Sequence, residues 1–318
     1  MSLTTKVLVT GGAGFIGSNL ADELIRQGAR VNIIDNFATG FRENLDEITG
    51  DFDFIEGDIN DDDAVARAIN GVEVIFHEAA LPSVPRSVDD PAETHRVCTD
   101  GTFNLLVKAK NAGVKRFIYA ASSSAYGDQP TLPKVETMSP DPLSPYAAAK
   151  LAGELYCRAF NSVYGLETLS LRYFNVFGPR QNPGSMYSGV ISRFIDALMT
   201  GQTPVIYGDG EQSRDFTYIA NVVDANIKAA QTAKGIGETM NVANGDRITL
   251  NELLNVLKSI TNNSDIDAEY QEPRKGDVKH SQANNMRANE YLDYSEIVGL
   301  EEGLRRTIDW WKSSRFAK

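Results

Sequence analysis

Short apolar runs alternate with helix-period segments through the first half of the chain. Residues 7–10 form an apolar run, residues 16–27 repeat apolar positions at helical spacing, and residues 30–35 are again strand-like and end in an acid. The strand pattern returns at residues 52–56, 74–77 and 116–120, with helical stretches between. Uniformly apolar strands separated by helices predict βαβ units on a parallel sheet covered on both faces. Beyond about residue 175 the pattern loosens. Prolines, glycines and aromatics fall irregularly through residue 208, and strand signals come back at residues 215–219 and 238–242. The polar stretch 261–267 reads as an exposed loop. The pattern predicts a doubly wound α/β unit over residues 1–174. A smaller α/β lobe is expected over 175–318, with some of its segments returning to the first unit.

Composition narrows the function. Lys plus Arg is 31 and Asp plus Glu is 43, a formal net charge of −12 over 318 residues. That surface lacks the basic footprint a nucleic-acid partner requires, although a few local arginines can still hold a diphosphate. Cys98 and Cys157 are too few and too far apart for a disulfide scaffold or a metal site, so no metal is expected and a reducing compartment fits. Neither a secretory leader nor an apolar run of about 20 residues is evident, so the expectation is a cytoplasmic protein without a membrane span.

The segment VLVTGGAGFIG ends a strand and opens a helix, with Gly11, Gly14 and Gly17 evenly spaced. In a dinucleotide site the first glycine permits the tight turn, the second admits the pyrophosphate and the third lets helix and strand approach. The helix N-terminus then offers free N–H groups to the phosphates. A glycine-rich turn alone would serve a purely structural role as well. The order strand, glycines, helix, strand, acid is what the binding motif requires. Asp35, closing the second strand, can accept from adenosine ribose hydroxyls and would repel a 2′-phosphate, which favours NAD over NADP. Asp58, after the third strand, can meet the adenine amino group or simply cap a turn.

Tyr146 and Lys150 lie four apart in SPYAAAKLAGE, and so share a helix face. A tyrosine near an ammonium and a cationic nicotinamide ring is expected to favour the phenolate, a usable base. Such a pair also occurs on ordinary helix surfaces. The run Ser122, Ser123 and Ser124 after an apolar strand changes that balance, because ligands of parallel sheets sit at the carboxyl ends of strands.

Together these motifs resemble the extended short-chain dehydrogenase/reductase family, over essentially the whole chain. The resemblance implies a Rossmann-type doubly wound parallel sheet with a smaller C-terminal lobe that binds a nucleoside diphosphate sugar. It assigns Ser122, Tyr146 and Lys150 to the catalytic Ser/Thr, Tyr and Lys. It implies NAD contacts from Phe15, Ile16, Asn36, Thr39, Gly40, Ile59, Ala79, Ala80 and Tyr173, besides the glycines and acids above. On the substrate side, LRYFNVFGPRQ places Asn175 at a diphosphate contact, YGDGEQSRDFTYI places Arg214 at a phosphate-binding arginine, and EPRKGDV offers Arg274 and Asp277. Ser83, Arg86, Val190, Tyr207 and Ser281 complete the implied substrate set, with Ser122 to Ser124 and Tyr146.

Sugar-nucleotide 4,6-dehydratases follow their catalytic threonine with Asp and Glu. Here Ser123 and Ser124 stand in those places, which disfavours dehydration and favours a 4-epimerase. SVPRSV and GDVKHSQA look like segments of bacterial UDP-N-acetylglucosamine 4-epimerases, alongside the related UDP-glucose 4-epimerases. Ser281 falls where some UDP-galactose 4-epimerases carry a bulky tyrosine, so it leaves room for an N-acetyl group. A uronate epimerase or decarboxylase, with Arg86 facing a carboxylate, and a non-catalytic NAD-binding protein are the competing readings. The resemblance further implies a homodimer built on the Tyr146 helix and the helix around residues 104–112. Cys98 and Glu78 depart from the expected Asn and aliphatic residue near the cofactor.

Overall fold

The computed structural model describes residues 5–184, 189–273, 278–295 and 298–314. Its centre is a seven-stranded sheet. The strands are β1 (Lys6–Thr10), β2 (Arg30–Asp35), β3 (Phe52–Glu56), β4 (Val74–His77), β5 (Arg116–Ser122), β6 (Glu167–Tyr173) and, from late in the chain, Thr239–Val242. Their spatial order is β3-β2-β1-β4-β5-β6 and then Thr239–Val242, with every neighbouring pair parallel. The order reverses between β1 and β4, which opens a crevice at the carboxyl ends of the strands. Register aligns those ends: Thr10 faces His77, His77 faces Tyr119, and Ser122 faces Tyr173.

The side-chain period of two splits each strand between two cores. Val7, Val9, Ile33 and Phe76 enter one cluster, shared with Leu20 and Leu24 of α1 (Phe15–Arg26) and with Val222 of the helix Ile219–Gln231. Leu8, Ile34, Ile75 and Phe117 enter the other, with Val65, Leu105 and Ala149 from the helices Asp62–Ile69, Gly101–Ala112 and Pro145–Tyr164. Each fully buried aliphatic or aromatic side chain contributes about 1.5–3 kcal/mol by leaving water. This two-sided burial explains why the strands read as continuous apolar runs.

The irregular stretch expected up to residue 208 contains a helix, Val190–Met199, and a strand, Val205–Tyr207. The helix was hidden by the prolines and glycines before it, although Ile191, Phe194, Ile195 and Leu198 bury one face at helical spacing. The strand pairs with Glu269–Gln271, more than sixty residues away, a pairing that no local pattern encodes. Three two-stranded pieces form in this half: Val205–Tyr207 with Glu269–Gln271, Thr217–Tyr218 with Val176–Phe177, and Ile248–Thr249 with Ser213–Arg214. The strand expected at residues 215–219 is shortened to Thr217–Tyr218, because Ile219 already opens a helix. Among the described residues no helix is long and apolar enough to cross a membrane.

Candidate active site

Local chemistry starts the helix Pro145–Tyr164 where it does. The Ser144 hydroxyl accepts from the Ala147 N–H at 3.2 Å, and Pro145 occupies the first helical position, where its missing N–H costs nothing. Tyr146 then falls in the first turn and Lys150 in the second. The Lys150 ammonium is buried, donates to the Ala120 carbonyl at 2.8 Å and sits 5.0 Å from the centre of the Tyr119 ring. One turn later Glu154 accepts from Arg172 of β6 at 2.7 and 2.9 Å. These two ties lock the helix against the sheet and hold Tyr146 at its carboxyl edge.

Ser122 ends β5 at that edge. Its oxygen accepts from the Ser124 N–H at 3.2 Å and from the Ser124 hydroxyl at 2.8 Å, which leaves its own hydrogen free to donate. The backbone turn of the serine run therefore aims Ser122, and not its neighbours, toward Tyr146.

Two adjoining cavities meet here. The larger, about 610 Å³, runs from the glycine turn to Tyr146 and Lys150. The smaller, about 330 Å³, lies among Ser122–Ser124, Asn175, Arg214 and Ser281. Ser122, Tyr173 and Asn175 line both. The large cavity is lined by Gly11, Gly14, Phe15, Ile16, Gly17, Asp35, Asn36, Thr39, Asp58, Ile59, Ala79, Ala80, Tyr146, Lys150 and Tyr173. Gly40 stands behind its wall, against Ala13. Arg86 lines the large cavity rather than the small one. Ser83 lines neither: it caps a short helix, accepting from the Arg86 N–H at 3.1 Å. Val190 and Tyr207 also line neither, with Val190 opening its helix and the Tyr207 ring lying 5.7 Å from the Arg193 guanidinium. Arg274 and Asp277 lie outside the described residues.

The two acids at the far end of the large cavity are already engaged. Asp35 accepts from the Ala13 N–H at 2.9 Å and the Phe37 N–H at 2.7 Å, and burial raises its carboxyl despite those bonds. Each oxygen retains a lone pair for a ribose hydroxyl. Asp58 accepts from Arg96 at 3.1 Å and from the Asn60 N–H at 2.8 Å. Those bonds outweigh burial and lower its carboxyl.

The catalytic end is electrostatically different from what the sequence suggests. Burial pushes the Tyr146 phenol well above the ordinary tyrosine range, while the adjacent Ser122 hydroxyl pulls it down. Lys150 is lowered by its own burial and does not set the direction for Tyr146. Its ammonium donates to the Ala120 carbonyl at 2.8 Å.

The sequence profile of the NAD dependent epimerase/dehydratase family matches residues 7–243. The chain belongs to that family. It is 39% identical over 312 residues to a UDP-glucose 4-epimerase of Mycolicibacterium smegmatis, covering 97% of this chain and 99% of the relative. A crystal structure of UDP-glucose 4-epimerase with UDP-glucose from Thermotoga maritima superposes with a TM-score of 0.92 at 39% identity, covering 97% of this chain and 99% of that one. A UDP-N-acetylglucosamine 4-epimerase from Methanobrevibacter ruminantium, solved in complex with UDP-N-acetylmuramic acid, gives 0.90 at 41% identity, with 97% and 98% covered.

NAD is the cofactor of this family, and the large cavity fits it. Gly11 has φ +68°, and a Cβ there would lie 2.8 Å from Ala79. A Cβ at Gly17 would lie 2.3 Å from the Gly11 carbonyl oxygen. The glycines thus shape a cradle that side chains would fill, at the N-terminus of a twelve-residue helix whose N–H groups suit a diphosphate.

Behind the cradle lies a buried network that the sequence did not reveal. Thr102 donates to the Cys98 carbonyl at 2.7 Å, so it can only accept from His77 Nε2–H at 2.9 Å. His77 Nδ1 then accepts from Thr10 at 2.7 Å, and the Thr10 oxygen accepts from the Ala79 N–H at 3.1 Å. Burial pushes His77 down to about 3, with Lys150 adding to the effect, so the ring is neutral and serves as a spacer. Cys98 is buried in a π-helical turn, Arg96–Asp100, and lines neither cavity. In the small cavity, Lys134, Tyr126 and His280 were also missed. Lys134 sits in a proline-rich loop with no local signal. His280 adjoins the GD motif and could have been drawn from it.

Proposed function

We propose that this protein is an NAD-dependent 4-epimerase of UDP-sugars, interconverting chiefly UDP-N-acetylglucosamine and UDP-N-acetylgalactosamine. The observation that carries this reading is the meeting of the two cavities at Ser122, Tyr173 and Asn175, beside Tyr146 of the large one, where a sugar held from the small cavity would reach a cofactor in the large one. Bound NAD supplies the acceptor and donor of hydride. Tyr146, as phenolate, takes the proton of the sugar 4-OH, and Ser122 donates to that oxygen to orient it. Burial raises the Tyr146 phenol, and the positive charges that would favour its phenolate are the Lys150 ammonium and, when bound, the oxidised cofactor. In this reading Lys150 also holds the nicotinamide ribose, with the donors left beyond its bond to the Ala120 carbonyl. Arg214, whose guanidinium is braced on the Ser213 and Lys279 carbonyls at 3.0 and 3.1 Å, suits the diphosphate anchor, with Arg274 as its partner. The sugar can then turn over while the nucleotide stays fixed.

Ser281 supports the N-acetyl preference. It lines the small cavity, and its N–H is bonded to the Ser213 carbonyl at 3.0 Å, which fixes where its small side chain points. We assign the cofactor and catalytic residues to residues 1–174 and most nucleotide-sugar contacts to 175–318. A homodimer is supported by Phe103, Tyr156, Val163 and Tyr164. These large apolar side chains are exposed on the helices Gly101–Ala112 and Pro145–Tyr164. A cytoplasmic site accords with two free, buried cysteines.

The test is to incubate the purified protein with UDP-N-acetylglucosamine and follow products by proton NMR, before and after adding NAD. UDP-N-acetylgalactosamine is expected. Conversion of UDP-glucose alone would overturn the sugar assignment and keep the mechanism. Conversion of UDP-glucuronate alone would favour the uronate reading. No conversion of any of them would sink the epimerase reading.

A further inference from the structure

Glu78 follows β4 directly and lines the large cavity at its catalytic end, beside Ala79, Lys150, Tyr146 and Tyr173. Lys150 is the other charged group beside it in this part of the wall. Glu78 is also held firmly. Tyr173 donates to Glu78 Oε1 at 2.8 Å. Asn226, from the helix Ile219–Gln231, donates to the Tyr173 oxygen at 2.8 Å and to the Val222 carbonyl at 2.9 Å. Three elements of the fold thus converge to place one carboxyl group. Nothing in proton removal by Tyr146 calls for it.

We propose that Glu78 is a positioning residue that sets the charge of the hydride-transfer site. As carboxylate it favours the cationic, oxidised nicotinamide over the neutral, reduced one.

The inference rests on the placement of Tyr146, since the reacting ring must lie within reach of that hydroxyl. The groups facing Glu78 are Tyr173 from β6, Lys150 and Tyr146 from the catalytic helix, and His77 next to it in the chain. Tyr173 is held protonated by burial and His77 is neutral, while Tyr146 is common to wild type and a Glu78 variant, so a difference between them isolates Glu78. Lys150 and Glu78 are therefore the charges that matter. Burial raises the Glu78 carboxyl to about 7, although Tyr173 and Lys150 both pull it down. Above that pH the Lys150–Glu78 pair is neutral overall. Below it the pair carries one positive charge, which opposes a cationic ring. In substrate oxidation the C4–H electron pair leaves with the hydride, the 4-OH proton goes to Tyr146, and Glu78 exchanges no proton with the sugar. Its part is to fix how readily the site accepts that hydride and gives it back.

The experiment is a potentiometric titration of the bound nicotinamide in the holoenzyme, without sugar, read by the absorbance and fluorescence of its reduced form. Reduction takes two electrons and one proton from solution to the ring. Removing the ring's positive charge also lets Glu78 bind a further proton near its own titration. The wild-type potential should therefore fall more steeply through about pH 7 than on either side. Glu78→Gln keeps an acceptor for Tyr173 and mimics the protonated acid, so the steepening near about pH 7 owed to Glu78 should be missing from its line. At a given potential, its reduced-to-oxidised ratio should match wild type near about pH 5.5 and exceed it about tenfold near about pH 8.5. Tenfold is about 30 mV for a two-electron couple. An offset equal at all pH values would reveal a structural effect only and overturn the proposal, as would coincident lines. If the variant does not retain cofactor, Tyr146→Phe decides instead: it keeps Glu78 and removes the other group able to gain a proton on reduction, and a constant slope there rejects the idea. Since no sugar is present, failure of the epimerase reading leaves this result standing on its own.

Discussion

The two cavities are built by opposite strategies. The cofactor side is made largely from backbone: one glycine turn, one helix N-terminus and the aligned ends of parallel strands. The substrate side is made from side chains brought together across distant segments, with Ser122, Lys134, Asn175, Arg214 and Ser281 meeting over nearly 160 residues of sequence. A backbone cradle leaves little freedom, whereas a pocket assembled by long-range hydrogen bonds can change its sugar without changing its fold. The difference predicts that mutations on the two sides should fail in different ways.

The largest effect should come at the junction, which belongs to both sides. Tyr146→Phe removes the base while leaving the ring that walls the cavity. Turnover should fall by about 10²–10⁴-fold with the cofactor still bound. Single-turnover NMR together with NAD content would check this, and a variant that keeps full activity would remove Tyr146 from the chemistry.

Next comes the cradle. In Gly17→Val the added Cβ would lie 2.3 Å from the Gly11 carbonyl oxygen, and backbone cannot swing aside as a side chain can. The expected result is protein purified without NAD, destabilised by about 1–3 kcal/mol. Retention of cofactor at wild-type stoichiometry would contradict the close approach.

How much could be read in advance follows the same division. The glycine turn, Asp35, the serine run and the Tyr146–Lys150 pair were legible because each depends on local periodicity or on the end of a strand. The helix Val190–Met199 was not, because its apolar face lies behind a stretch of prolines and glycines that broke the pattern. Ser83 was drawn into the substrate set by its motif, and in the structure its hydroxyl accepts from a helix N–H and keeps its own hydrogen to donate. Lys134 escaped notice because its place depends on pairing with residues near 283, far along the chain. The Tyr146 phenol illustrates the limit for chemistry. Spacing put lysine one turn away, yet only the folded arrangement shows the lysine bonded to the Ala120 carbonyl and the phenol raised by burial.

On the substrate side, Asp215 is the group that holds separate segments together. One carboxylate oxygen accepts from Asn244 N–H at 2.9 Å and the other from Ala283 N–H at 3.0 Å, with Gly245 N–H shared between them. Its backbone carbonyl also accepts from Asn175 at 3.0 Å. Asp215→Asn replaces one acceptor by an NH₂ that must face a backbone donor. We expect about 1–3 kcal/mol of lost stability. KM for the UDP-sugar should rise, while NAD content and the catalytic rate at saturation stay close to wild type. Loss of cofactor in this variant would show that the two halves are coupled more tightly than their construction suggests.

The smallest effect should be the most selective. Ser281 is pinned by its backbone bond to Ser213, so a larger side chain at that position must project into the small cavity of about 330 Å³ instead of relaxing outward. Ser281→Tyr should therefore penalise a sugar carrying an N-acetyl group and leave a plain hexose nearly untouched. Differences of this kind in pocket volume are worth about 1–3 kcal/mol, or about 10–200-fold in kcat/KM. The ratio of kcat/KM for UDP-N-acetylglucosamine to that for UDP-glucose is the quantity to measure, because a general loss of folding or of cofactor would lower both terms and cancel. A fall in the ratio would locate the C2 substituent beside Ser281. An unchanged ratio would mean that the sugar lies elsewhere in the cavity, with Lys134 and His280 becoming the residues to vary next.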